Sequence, residues 1–236
     1  MRQSDHVVLI TGATGPGGRA AAARFAADGA RLVLAGTDGD RLAAMAAELR
    51  LAPDRWTAAV ADLRDPDGAA AVAAAAEGAG GVDRLLHLVG GWTGGTPIVD
   101  LDPADLRRMV DQHLWTTFHL VRAVVPGMVS RGWGRVVAVS SPLAQTPGPG
   151  MAAYGVAKAA EEALLGTLAR EVAGTGVTVN LVVVRTIDAE HLREREPSPR
   201  NASHTTPEEL ADVLAYLASE AAAAINGARI PLHGRV

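Results

Sequence analysis

The chain contains no cysteine, and only two tyrosines and two phenylalanines among its 236 residues. A chain without thiols has no disulfide scaffold, no thiolate metal site and no cysteine nucleophile. Neither sign of charge is in large excess, because 22 basic against 26 acidic residues leave a formal net charge of −4. That balance removes the electrostatic reason to expect nucleic acid or an anionic membrane as partner. No apolar run reaches the length that spans a bilayer, and the opening MRQSDHVVLITG lacks the apolar core of a secretory signal. The expected location is cytoplasmic. No His/Asp/Glu set has metal-ligand spacing on one element, so no metal is assigned. Lysine is the scarcest charged residue: the other basic residues are all Arg, and Lys158 stands alone, four positions after Tyr154.

With 48% apolar and 20% charged residues, the chain has enough material for a sizeable core, and residues 1–236 are expected to form a single domain. Short β-branched runs alternate with Ala-rich stretches. The runs predict strands over 6–10, 31–35, 57–61, 84–89, 135–140, 177–184 and 228–232. The stretches predict helices over 19–28, 40–51, 66–78, 103–131, 152–173 and 207–224, the fourth bent at Pro126-Gly127. Strands alternating with helices imply parallel βαβ units, hence an α/β doubly wound sheet of about seven strands with helices on both faces. The polar stretch 188–206, with Pro197 and Pro199, reads as one long loop beside the substrate. Its run 191–196 alternates in charge, as a solvated loop does.

Two motifs carry chemistry. Thr11-Gly12-Ala13-Thr14-Gly15-Pro16-Gly17-Gly18 joins the first strand to the first helix. Glycines there allow a tight turn and close backbone approach to a pyrophosphate, which then sits at the helix N-terminus. The second motif is Ser141 with Tyr154 and Lys158, the last two one helical turn apart and therefore on one face. A phenol is a poor acid–base catalyst near neutral pH unless a nearby cation favours its anion. A compact ammonium supplies that charge, and the planar fork of Arg does not replace it.

The glycine turn, Asp62, Gly90, Ser141, Tyr154-x-x-x-Lys158, Asn180 and Gly227 resemble, in order and spacing and over practically the whole chain, the short-chain dehydrogenases/reductases. The resemblance implies a Rossmann-like fold and hydride transfer between a nicotinamide and a small-molecule carbonyl or alcohol. It implies Tyr154 as general acid/base, Lys158 as the residue that favours its anion and holds the ribose, and Ser141 as the ligand of the substrate oxygen. Cofactor contacts are expected from Gly12, Thr14, Gly15, Pro16, Gly18, Thr37, Asp62, Leu63, Val89, Gly90, Tyr154, Lys158 and Ile187. Family members pair through the helix that carries the tyrosine, which implies a homodimer or homotetramer. Small residues there (Gly155, Ala159, Ala163, Gly166) and Leu164, Leu165 and Leu168 suit such a contact.

The chain departs from the family at several places. Pro16 replaces a glycine of the turn, His87-Leu88-Val89-Gly90 replaces Asn-Asn-Ala-Gly, and His113 stands where an Asn often holds a water. Val184-Arg185 replaces Pro-Gly, and Gly234-Arg235 replaces the C-terminal Gly-Gly. His113 either takes over the proton relay or is a packed helix residue, whereas His87 reads as structural. Trp92 and Trp115 either border the cleft or anchor a core or interface. The second strand ends in Ala35-Gly36-Thr37-Asp38, without the acidic residue that would accept the ribose hydroxyls of NAD. Thr37 and Arg41 suit a phosphate and Asp38 opposes it, so the cofactor is NADP or NAD, with NADP favoured. The departures leave an alternative: a nucleotide-binding relative without redox turnover, acting as a binding or regulatory subunit.

Overall fold

A computed structural model describes residues 6–233; Gly234 and Arg235 lie outside the described residues. Its strands are β1 (Val7–Thr11), β2 (Arg31–Gly36), β3 (Trp56–Val60), β4 (Arg84–His87), β5 (Gly134–Ser140), β6 (Val177–Val184) and β7 (Arg229–Leu232). They form one sheet in the order β3-β2-β1-β4-β5-β6-β7, and every pairing is parallel. All five residues of β1 and all eight of β6 are buried, as strands covered on both faces must be.

The helices are α1 (Pro16–Ala27), α2 (Gly39–Glu48), α3 (Pro66–Gly78), α4 (Pro103–Val110), α5 (Thr116–Ser130), α6 (Ala152–Glu171), α7 (Leu192–Arg195) and α8 (Pro207–Leu217). Alternate strand residues feed two apolar layers. Leu9, Val33, Leu85, Val136 and Val179 pack with Val124 and Met128 of α5 and Leu165 of α6. Val8, Ile10, Leu34, Leu86 and Val182 pack with Phe25 of α1, Leu42 of α2 and Leu214 of α8. The result is a three-layer α/β sandwich. At β1 the strand order reverses, because β2 follows on one side and β4 on the other. The crevice beyond the C-terminal ends of β1 and β4 is where an open α/β sheet binds its ligand.

Four expectations are corrected. β4 stops at His87, so Leu88 to Gly91 leave the sheet and wall the crevice. The long helix runs on through Pro126, and its irregularity falls instead at Asp111–Trp115, a π-helical segment between α4 and α5. The last helix ends at Leu217, where Arg84 Nε donates to the Ala218 carbonyl (2.8 Å) and Arg135 Nε to that of Ser219 (3.2 Å). Residues 188–206 are not one loop: Asp188 accepts from the N–H groups of Leu192 and Arg193 and so starts α7, and Arg193 grips Glu209 through both terminal nitrogens. No helix among the described residues is long and apolar enough to cross a membrane.

Candidate active site

The turn after β1 admits only glycine at two points. Gly12 has φ +65°, and a Cβ there would meet the Leu88 carbonyl oxygen at 2.5 Å. A Cβ on Gly18 would lie 2.4 Å from the carbonyl oxygen of Gly12. Gly15 stands at the N-cap of α1 with no side chain to satisfy the first-turn N–H groups, and Pro16 occupies the first turn, where it loses no bond. A bare helix N-terminus behind backbone that approaches closely fits a pyrophosphate, so the residues present suit a dinucleotide.

Two adjoining cavities extend from this turn. One, of about 370 Å³, is lined by Gly12, Thr14, Gly36, Thr37, Asp62, Leu63, Arg64, Val89 and Gly90. Asp38 accepts from the Arg41 N–H (3.0 Å) as the N-cap of α2, which ties its carboxylate to the helix start. Asp62 is held by Arg64 at 2.6 Å, and that hydrogen bond keeps its carboxyl below the usual range. The other cavity, of about 540 Å³, is lined by Gly12, Thr14 to Gly18, Val89, Gly90, Trp92, His113, Ser140, Tyr154, Lys158, Arg185 and Ile187. Apart from Ser141, every expected site residue borders one of the two cavities. Ser141 lies next to the lining residue Ser140, buried, with its hydroxyl accepting from the Leu143 N–H (3.3 Å). Ser140 itself donates to Glu162 (2.6 Å).

Lys158 is buried on α6 and donates to the Val139 carbonyl (2.9 Å) and to Glu161 (2.6 Å). Glu161 escaped the sequence reading. An acidic residue three positions after a lysine normally signals a solvated helix pair, and only the packing of α6 shows it buried. Burial pushes its carboxyl up, against the pull of Lys158. Its other oxygen lies 3.1 Å from the Thr117 hydroxyl, which is also 2.9 Å from His87 Nε2; His87 Nδ1 lies 2.8 Å from the Thr11 hydroxyl.

The π segment places His113. Opening the helix by a residue frees carbonyls, and Thr116 and Thr117 donate to those of Gln112 (2.7 Å) and His113 (2.6 Å). Gln112 and His113 in turn donate to the carbonyls of Gly90 and Gly91, the latter at 3.1 Å. The helix is thereby stitched to the loop after β4. A carbonyl only accepts, so neutral His113 carries its proton on Nε2 and leaves Nδ1 as a buried acceptor without a partner. Its ring meets that of Tyr154 edge-on at 5.5 Å. Trp92 borders the cleft, whereas Trp115 packs against Phe118 and His119.

Burial, reinforced by Lys158, pushes both His87 and His113 down from 6.5 to about 3. Below pH 6.5 the unfolded chain therefore binds two protons that the folded chain refuses. Their stability contribution is complete above pH 6.5 and drains away as pH falls toward 3, by up to about 1.4 kcal/mol per pH unit for each histidine. Glu161, shifted upward, has the opposite sign and offsets part of the loss. Urea midpoints are expected to fall steeply between pH 6.5 and 5, and less steeply in His87→Asn or His113→Asn. Equal slopes in all three proteins would contradict the assignment.

The short chain dehydrogenase family model matches residues 6–200. The chain is 30% identical to the uncharacterized oxidoreductase YmfI of Bacillus subtilis (strain 168), covering 98% of both chains. It is 34% identical to sulfoacetaldehyde reductase 2 of Chromohalobacter salexigens, over 90% of this chain and 88% of that one. Among solved structures, the NADPH-bound short chain oxidoreductase of Pseudomonas aeruginosa PAO1, described as containing an atypical catalytic center, superposes with a TM-score of 0.88 at 26% identity, over 99% and 97% of the two chains. The parallel seven-stranded sheet, the glycine turn at its switch point and these matches agree, and the chain belongs to the short-chain dehydrogenase family of oxidoreductases.

Proposed function

We propose that the chain is a carbonyl reductase that uses NADPH in preference to NADH. The observation that carries this reading is the convergence of Tyr154 and Lys158, from one face of α6, on the cavity whose other wall is the Gly12–Gly18 turn. When bound there, the cofactor supplies a hydride to the carbonyl carbon. Tyr154 gives the proton to the carbonyl oxygen, Ser141 helps to hold that oxygen, and Lys158 aids the tyrosine and holds the ribose. His113 contributes an acceptor beside Tyr154 and no charge. Thr37, just after β2, and Arg41, in the first turn of α2, favour the NADP phosphate, and the Asp38 carboxylate, which opposes it, is engaged as the cap of α2. Asp62, Leu63, Val89, Gly90 and Ile187, which line the two cavities, would supply the remaining cofactor contacts.

Residues 188–206 stand on the substrate side, since Arg185 and Ile187 lead from the cleft into them. Arg185 has no ion-pair partner among the described residues and meets only the Ser203 hydroxyl at 3.4 Å, which suits a substrate with an anionic group. We read the chain as a single cytoplasmic domain that assembles through α6. Within that helix Gly155 and Leu165 face their own chain and not a partner, since Pro147 lies 2.9 Å from a Cβ on Gly155 and Leu165 belongs to the core. Val156, Ala159 and Ala163 are exposed apolar residues of the helix, available for the contact.

Tryptophan-fluorescence titration tests the reading, since Trp92 borders the cleft. NADPH is expected to bind more tightly than NADH, and Gly12→Val to lose both while keeping its far-ultraviolet circular dichroism. Unchanged affinity in that variant sinks the cofactor site. Turnover is then sought with NADPH and a panel of aldehydes and ketones that includes sulfonates and carboxylates.

A further inference from the structure

Carbonyl reduction by a tyrosine and a lysine does not call for a carboxylate, yet α6 places one in contact with the lysine. The side chains of Lys158 and Glu161 are 4% and 1% exposed, and their charged atoms are 2.6 Å apart. Burying an ion pair costs desolvation that its own attraction rarely repays, so this pair has a consequence to be sought in the site. Lys158 has its ammonium fixed between Glu161 and the Val139 carbonyl. Glu161 is fixed in turn by Thr117 from α5.

We propose that Glu161 is a positioning residue that aims the Lys158 ammonium and cancels part of its field at Tyr154, and so sets the pH range over which the tyrosine can serve as the general acid. This rests on Tyr154 being the general acid. The other groups around the pair do not supply the same control. His87 from β4, 3.9 Å from Glu161, and His113 beside Tyr154 are neutral across the working range. Glu162, the next residue of α6, is matched by Arg229 from β7 (3.0 Å) and by Ser140.

The scarcity of tyrosine makes the test direct. Tyr216 is half exposed on α8, so Tyr216→Phe leaves Tyr154 as the sole tyrosine, and ultraviolet difference titration follows its phenolate alone. In that background Glu161→Gln is expected to bring the phenolate in at a pH lower by about one to two units, as removal of a charge some residues away in a partly buried site would. Glu161→Asp should restore much of the original titration. The pH profile of kcat for alcohol oxidation should move to lower pH in Glu161→Gln by the same one to two units. Glu161→Leu, which needs no hydrogen-bond partner, serves in the same titration where Gln compromises folding. A phenolate titration that stays put while only the melting temperature falls overturns the role and leaves Glu161 a packing residue. The titration needs no turnover, so it is read separately from the reaction: a wild type that reduces no carbonyl overturns the reductase reading instead.

Discussion

Tyr154→Phe is expected to lower kcat by about 10² to 10⁴, the usual worth of one positioned proton transfer, with little change in the affinity for NADPH. The substitution removes a hydroxyl and leaves the ring. The edge-on contact with His113 and the packing of the Tyr154 ring against the small apolar cluster of Met109, Ala153 and Ala157 therefore survive. The cofactor turn lies on the opposite wall, and Lys158 keeps its bonds to Val139 and Glu161. Lys158→Arg should fail as well, although arginine serves at every other basic position of the chain. The ammonium occupies a buried slot between two acceptors, and the larger planar fork has donors that this slot cannot satisfy. Both variants are read by NADPH absorbance with whichever carbonyl the wild type reduces. Full activity in either one contradicts the mechanism. A Tyr154→Phe protein that loses NADPH binding as well would show that the ring, not the proton, is what matters.

Which parts of this site could be read from the sequence depends on the range of the interactions that make them. The glycine turn is local: a strand, a tight bend and a helix start are encoded in eight consecutive residues, and Gly12 and Gly18 prove indispensable for contacts with Leu88 and with the turn itself. Tyr154 and Lys158 are related by one helical turn, and strands such as β6 announce themselves as continuous apolar runs. Asp38 also carried a readable signal, an Asp before Gly39-Asp40 at a helix start, but its capping role decides the charge around Thr37 only once the helix is in place. The π segment was not legible. It is held by Thr116 and Thr117 on freed carbonyls and by Gln112 and His113 on a loop more than twenty residues away, so no local pattern marks it. The end of β4 was missed for the same reason, since that loop is the wall to which the helix is stitched. Glu161 looks like an exposed partner of Lys158 until the face of α6 is known. Loop residues 188–206 read as coil because Asp188 and the Arg193–Glu209 pair act across the fold, not along it.

Lys158→Met tests the same pair through stability and is expected to cost about 3 to 5 kcal/mol at neutral pH, well beyond an ordinary loss of packing. Methionine fills most of the lysine's volume, so the penalty arises chiefly from Glu161, left as a buried carboxylate with only the Thr117 hydroxyl beside it. The double variant Lys158→Met/Glu161→Leu removes the stranded charge and should recover most of the loss, a non-additivity that two independent packing defects would not show. The pH dependence has a definite sign. Burial already raises Glu161 in the wild type, and loss of the ammonium raises it further. A carboxyl whose folded pKa exceeds its unfolded one contributes fully at pH below the unfolded value, about 4.3, and loses that contribution as pH rises through the folded value. The gap between wild type and Lys158→Met should therefore be widest at pH 8 and narrow toward pH 5.5. The histidines steepen the acid limb of both proteins, and they do so less in the variant because Lys158 contributes to their depression. That difference also narrows the gap at low pH. Urea unfolding at the two pH values measures it. A gap that does not change with pH, or a double variant no more stable than Lys158→Met, would mean that Glu161 is not the charge that Lys158 neutralises.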